Sequence, residues 1–151
     1  MLAGIVHSLG RNEDGRLGLG SSYKEQRSIW TATAIPKLKD IPCIRVGCGL
    51  STSYAISKDK NQLYAWGFGE NFQLAAGDEE DQPEPHPCKF KKDEDTCEGI
   101  VYVSAGAQHV GIIKGTVKTK EANGVEENHV EVKEPKRKTV QRSVSARSRK
   151  K

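Results

Sequence analysis

Apolar residues in this chain recur mostly at every second position, in short runs cut off by glycine, proline or charged residues. The runs "SYAIS", residues 53–57, and "QLYAWG", residues 62–67, flank Lys58-Asp59-Lys60-Asn61, which predicts two strands joined by a hairpin. "CIRVGCG", residues 43–49, predicts a third strand ending in glycines. "SIWTATAIP", residues 28–36, is rich in β-branched and aromatic side chains and stopped by Pro36, which predicts a fourth. The period is two rather than 3.6, so the expected class is all-β.

The pattern also repeats. A shift of 57 positions lays "HSLGRNEDGRLGLG", residues 7–20, under "YAWGFGENFQLAAG", residues 64–77, with Gly10 on Gly67, Leu17 on Leu74 and Gly20 on Gly77. The same shift lays "IRVGCGLSTSYAI", residues 44–56, under "VYVSAGAQHVGII", residues 101–113. Two separate segments share one offset, which defines a repeat. Four short strands per 57 residues is the count of a propeller blade, a sheet that buries its faces only against neighbouring blades. Gly67, Gly69 and Gly77 are expected where the backbone turns with positive φ or meets a neighbour closely. Leu74 is expected as a plug between sheets, and Gln73 as a loop anchor through its amide.

Composition divides the chain. Residues 1–117 hold 13 Lys and Arg against 15 Asp and Glu, whereas residues 135–151 carry eight basic residues and no acidic one. From about Lys118 the pattern dissolves into a polar stretch with no aromatic residue, the signature of a disordered tail. The expected organisation is the end of a preceding blade over 1–20, one repeat over 21–77, a partial last repeat over 78–117, and the tail over 118–151, basic from 135. No apolar stretch approaches the length of a membrane span and the start lacks the features of a signal peptide, so a nuclear or cytosolic chain is expected.

Little in the sequence suggests covalent chemistry. "GFGENF" fails the dinucleotide fingerprint at Phe72, and "GRLGLGSS" puts Ser21 where a phosphate-binding loop needs lysine. His7, His86, His109 and His129 have no neighbouring Ser or Cys arranged as a triad. Cys43, Cys48, Cys88 and Cys97 lack metal-ligand spacing and read as buried reduced thiols, with His86-Pro87-Cys88 the one weak ligand pair. No catalytic residue, cofactor or metal is expected. The acidic run "DEEDQPEPHP", residues 78–87, reads as a solvated surface connection, or else as an attraction for basic patches on a partner.

The order Val-x-x-Gly, then Gly-x-x-His or its equivalent, then "YAWGFGENFQL", resembles the regulator of chromosome condensation repeat family over roughly residues 7–114. Ala75 departs from it, standing where a glycine is usual after Gln-Leu, and Thr52 stands where many repeats have His. The resemblance implies a seven-bladed β-propeller, of which this chain holds about two blades, and hence a fragment of a longer ring. It further implies a nuclear, chromatin-associated guanine nucleotide exchange factor for the Ran GTPase, which acts by differential binding and not by covalent chemistry. The fragment alone is not expected to be exchange-competent. Gln108 and His109 in "GAQHVGII" match positions that the resemblance places on the face meeting the GTPase. A different reading is a repeat scaffold or chromatin-binding module with no exchange activity.

The tail adds candidate partners. Lys136, Arg137 and Lys138, followed by Arg147, Arg149, Lys150 and Lys151, have the two-cluster form of a nuclear import signal, and the same charges would neutralise DNA phosphates. The expected partners are Ran, chromatin (histones and DNA, without sequence preference) and an import receptor, with no membrane.

Overall fold

The computed structural model describes residues 3–59, 62–90 and 99–115. Among them, strand β1 (His7–Arg11) pairs with β2 (Ser28–Ala34). Strands β3 (Cys43–Cys48), β4 (Thr52–Ser57), β5 (Leu63–Gly67) and β6 (Gln82–Pro87) form one four-stranded sheet in chain order, and β7 (Ile100–Ala105) pairs with β8 (Val110–Lys114). Every pairing is antiparallel. The all-β expectation holds for the described residues.

The four-stranded sheet lies between the two smaller ones, and the two-residue alternation of its strands explains how. On β4, Tyr54 and Ile56 join Leu63, Ala65, Leu74, Cys88, Ile100 and Val103 in one apolar cluster, while Ala55 joins Trp66, Leu17, Leu19, Ile29, Ile35 and Leu38 in another. One face therefore packs toward β7 and the other toward β1, β2 and the loops between them. Tyr54, Ile35, Leu38, Ile56, Leu63 and Leu74 are all less than 2% exposed or at 2%, and burying an aliphatic side chain of this size is worth about 1.5–3 kcal/mol.

Two expectations about strands are corrected. The segment 28–36 does not join the sheet of β3–β5 but pairs with β1, with Gly10 opposite Ile29 and Arg11 opposite Ser28. The fourth strand of the central sheet is instead β6, within the acidic run read as a loop. Its three prolines mislead because they alternate. Cys88 donates its N–H to the Leu63 carbonyl at 2.9 Å, so the even-numbered residues face β5. Pro83, Pro85 and Pro87 then hold the outward positions of an edge strand, where a missing N–H breaks no ladder bond. The acids also bond within the fold. The Gly69 N–H donates to Asp81 at 2.8 Å, the Asn71 N–H to Glu79 at 3.3 Å, and Lys37 pairs with Glu84 at 2.9 Å.

The repeat is reproduced at the level of backbone angles. Positive φ occurs at Gly10 and Gly67 (113° and 109°), Asp14 and Asn71 (57° and 63°), Gly15 and Phe72 (71° and 54°), Gly18 and Ala75 (71° and 51°), and Gly20 and Gly77 (81° and 103°). Every pair is separated by 57. At Gly67 the conformation also excludes a side chain by contact, since a Cβ would run into the Ser51 carbonyl oxygen. Leu74 is fully buried and the Gln73 amide donates to the Phe68 carbonyl at 3.2 Å, as the sequence suggested.

Phe72 and Ala75 thus hold left-handed angles that glycine holds in the first copy, at a cost of about 1–2 kcal/mol for a residue with a Cβ. Ala75→Gly should therefore raise the unfolding free energy in urea by about 1 kcal/mol, net of the added chain entropy. Gly67→Ala should lower it by about 2 kcal/mol or more. An Ala75→Gly midpoint below that of the parent chain would contradict the strain assigned to that turn.

Candidate partner-binding face

The turn between β7 and β8 exposes Ala107, Gln108 and His109. It is closed by the Gly106 N–H donating to the His109 carbonyl at 2.9 Å, and the His109 ring lies so close over Gly106 that a Cβ there would sit 2.7 Å from Cε1. The equivalent turn in the central sheet has Gly49 donating to the Thr52 carbonyl at 2.8 Å, with the Thr52 hydroxyl 2.6 Å from where a Gly49 Cβ would be. Thr52 therefore fills the place of the histidine. The difference is burial: Thr52 is 2% exposed, under the Gly106 and Ala105 end of the next sheet, whereas His109 has nothing described above it and faces solvent.

These turns are tied into one surface. The Leu50 N–H donates to the Gly106 carbonyl at 3.3 Å, and the Leu50 carbonyl accepts from Arg16 Nη1 at 3.3 Å. Arg16 is itself held by Asp14 at 2.6 Å and by the Glu13 carbonyl at 2.8 Å, and the Arg16 carbonyl accepts from the Ser53 hydroxyl at 2.8 Å. The relay runs across all three sheets, from the loop after β1 to the β3–β4 turn to the β7–β8 turn. Leu50, 71% exposed, is thereby tied to Gly106 at the base of the turn that exposes Gln108 and His109. Sequence reading named Gln108 and His109 but missed Leu50 and Arg16. An apolar residue at a turn tip was the available signal for Leu50, and for Arg16 there was none, because its partners are distant carbonyls.

Other candidate groups are placed as follows. Cys43 and Cys88 are buried and unpaired, as expected, but Cys48 is exposed, because the side of β3 that carries it is uncovered. Burial pushes the Cys88 thiol up to about 12 and raises that of Cys43. Both ring nitrogens of His86 are buried without a hydrogen-bond partner. Burial is the leading cause that lowers its pKa; the Leu74 and Ala65 carbonyls oppose the shift, but neither makes a well-formed bond, so burial prevails. Among the described residues no group of three or more His, Cys, Asp or Glu is placed to hold a metal, and none of the described helices is long and apolar enough to cross a membrane. Lys136, Arg137, Lys138, Arg147, Arg149, Lys150 and Lys151 lie outside the described residues, as do His129 and Cys97.

Comparison with known proteins agrees with the repeat. The model of the regulator of chromosome condensation (RCC1) repeat matches residues 3–56 and 60–113. The chain is 41% identical over 118 residues to the Regulator of chromosome condensation of Homo sapiens, covering 78% of this chain and 25% of that protein. It is 40% identical over 110 residues to the Xenopus laevis protein of the same name, covering 73% and 24%. The chain thus spans about a quarter of the length of these relatives. Among solved structures, Prp20p from Saccharomyces cerevisiae, described together with its binding properties to Gsp1p and histones, superposes with a TM-score of 0.62 at 20% identity, over 74% of this chain and 27% of that one. That likeness shows the fold: the four-stranded sheet is a blade of a β-propeller and the two-stranded sheets are parts of its neighbours.

The thiols give this face a direct readout. In a Cys97→Ser background at pH 8, a disulfide reagent should modify one thiol, that of Cys48, within seconds to minutes. Cys43 and Cys88 should react at least about 100-fold more slowly, through unfolding. The sign for stability follows: a thiol held above its ordinary value of 9.0 stabilises the fold fully below that value and progressively less as pH rises toward about 12. Fast labelling of all three thiols would contradict the packing of β3 and β6.

Proposed function

The chain belongs to the RCC1 repeat family, and from that premise we propose that it forms part of a guanine nucleotide exchange factor for the Ran GTPase that also binds chromatin in the nucleus. The observation that carries this reading is the 41% identity over 118 residues to the human regulator. Exchange requires no acid, base or nucleophile from the factor. A protein that binds the nucleotide-free GTPase more tightly than the GDP-bound form must, by reciprocal linkage, weaken the GTPase's hold on its nucleotide.

The face built from Leu50, Gln108 and His109 suits the docking half of that work. Its turns are fixed by main-chain bonds, so the exposed amide and imidazole can meet a partner with little further ordering cost. The elements that displace nucleotide are assigned to other repeats of the ring, so this chain docks without releasing GDP. The basic clusters from Lys136 to Lys151 serve chromatin: eight cations without interleaved aromatic residues suit phosphate neutralisation without base stacking. The same clusters suit an import receptor.

Binding of the 151-residue chain to nucleotide-free Ran, measured by biolayer interferometry, is expected at micromolar affinity and is expected to weaken about 5- to 10-fold with His109→Ala. A tenfold loss corresponds to about 1.4 kcal/mol. Release of a fluorescent GDP analogue from Ran should stay at its intrinsic rate when the chain is added. No binding at high micromolar concentration would sink the docking reading, and an unchanged affinity for His109→Ala would remove that residue from it. For the tail, DNA affinity should fall with salt on a log–log slope no steeper than about −7, the limit for eight phosphate contacts. Deletion of residues 135–151 should abolish most of it, and equal affinities for intact and truncated chains would exclude the tail from DNA binding.

A further inference from the structure

The loops after β1 and after β5 repeat one another at the 57-residue offset, so residue 16 of the first corresponds to residue 73 of the second. Arg16 precedes Leu17 and Gln73 precedes Leu74, which puts a guanidinium in one loop where the other has an amide. Gln73 uses its amide locally, with Nε2 donating to the Phe68 carbonyl at 3.2 Å inside its own loop. Arg16 also holds its own loop: Nε donates to the Glu13 carbonyl at 2.8 Å and Nη2 to Asp14 at 2.6 Å. Its third nitrogen goes further. Nη1 donates to the Leu50 carbonyl at 3.3 Å, across the boundary to the central sheet. A planar guanidinium carries five N–H donors on three nitrogens and can make all three bonds at once, whereas a glutamine amide has two donors on one nitrogen. Among the described residues Gln73 makes no corresponding bond to Ala107, the residue 57 positions after Leu50.

The turn that Arg16 holds itself holds the next one. Arg16 fixes the peptide between Leu50 and Ser51 through its carbonyl, and the peptide between Gly49 and Leu50 points its N–H at the Gly106 carbonyl at 3.3 Å. These two peptides share the Leu50 Cα, so only one φ and one ψ separate them. The Gly106 carbonyl belongs in turn to the peptide that begins the tip Ala107-Gln108-His109, and the Gly106 N–H closes that tip on the His109 carbonyl at 2.9 Å. Gly49 makes the approach possible, since a Cβ there would lie 2.6 Å from the Gly106 carbonyl oxygen. The Arg16 side chain is 20% exposed, so salt screens its bonds weakly. Every bond of the relay lies between residues 13 and 109.

We propose that Arg16 is a positioning residue for the turn that carries Gln108 and His109. It sets the peptides on either side of Leu50, these set the Gly106–Ala107 peptide, and the amide and imidazole of the tip take their place from there. Arg16 touches no partner in this scheme. It acts through two neighbouring turns, and its geometry rather than its charge is what counts, because a lysine ammonium on a flexible stem has no fork to hold the Glu13 carbonyl, Asp14 and the Leu50 carbonyl in one plane. The consequence for binding rests on the docking reading given above; the consequence for the turn does not.

Two variants of the full chain test this. Arg16→Gln is suited to it because the second loop already carries a buried, bonded glutamine at the equivalent site, and Arg16→Lys keeps the charge without the fork. In two-dimensional amide NMR spectra both variants should shift the resonances of Leu50, Ala107, Gln108 and His109, and the Leu50 amide should exchange with solvent at least about 10-fold faster. The amides of Ala55 and Tyr64, in the β4–β5 ladder, should keep their parent positions, which shows that the fold is retained. Affinity for nucleotide-free Ran should fall about 3- to 5-fold in both variants, and adding Arg16→Gln to His109→Ala should lower it by less than about 2-fold more, because the two act through one turn. Unchanged amides at Leu50 and residues 107–109 would overturn the proposal, and so would Arg16→Lys matching the parent chain or fully additive losses in the double variant, the result of a merely structural role. Shifted amides without any loss of affinity, in a parent chain that binds, would overturn its bearing on docking. A parent chain that does not bind Ran would remove the docking reading, and the amide resonances would then decide the positioning role by themselves.

Discussion

Ala55 and Ile56 are neighbours on β4 and both are completely buried. Adjacent residues on a strand point to opposite faces, so the central sheet must be covered on both sides. This single requirement organises the molecule. A sheet of this size cannot satisfy it alone, and the chain answers by packing sheets face to face, so that each interface is the shared property of two repeats. The identity of a blade is then a matter of its neighbours as much as of its own residues, which is the energetic meaning of a repeat fold.

The same stacking accounts for where backbone freedom is concentrated. The loops after β1 and after β5 carry the positive φ angles, and these recur at the 57-residue offset; in the first of them Gly15, Gly18 and Gly20 also press against Pro83, Trp66 and Glu84 of the next sheet. Where the residue type has changed, as at Phe72 and Ala75, the conformation has not. The shared loop geometry therefore overrides residue preference at these two positions.

How much could be read in the residues follows from how local each feature is. The β4–β5 hairpin, the buried Leu74 and the Gln73 loop anchor follow from alternation and from short-range chemistry, and all were legible. The pairing of β2 with β1 was not, because it closes over a connection of sixteen residues, 12–27, and periodicity does not say which strand a strand will choose. Strand β6 was hidden by a composition that normally marks loops, since Pro83, Pro85 and Pro87 are harmless only in one register. Of the candidate face, Gln108 and His109 were named through family resemblance, and the structure shows only that they are exposed on the β7–β8 turn. The Arg16–Leu50–Gly106 relay lies in main-chain groups that every residue carries and no sequence pattern records.

The prolines of β6 have one more effect. With Pro83, Pro85 and Pro87 turned outward, the rim of the central blade offers carbonyls but no N–H donors at alternate positions, and one of those carbonyls is already taken by Gly20. A foreign strand laid against that rim finds no ladder to extend. Lateral growth of the sheet into the fibrillar contacts that exposed edges invite is thereby closed off at the periphery. The prolines act as a guard on this outer edge of the central sheet.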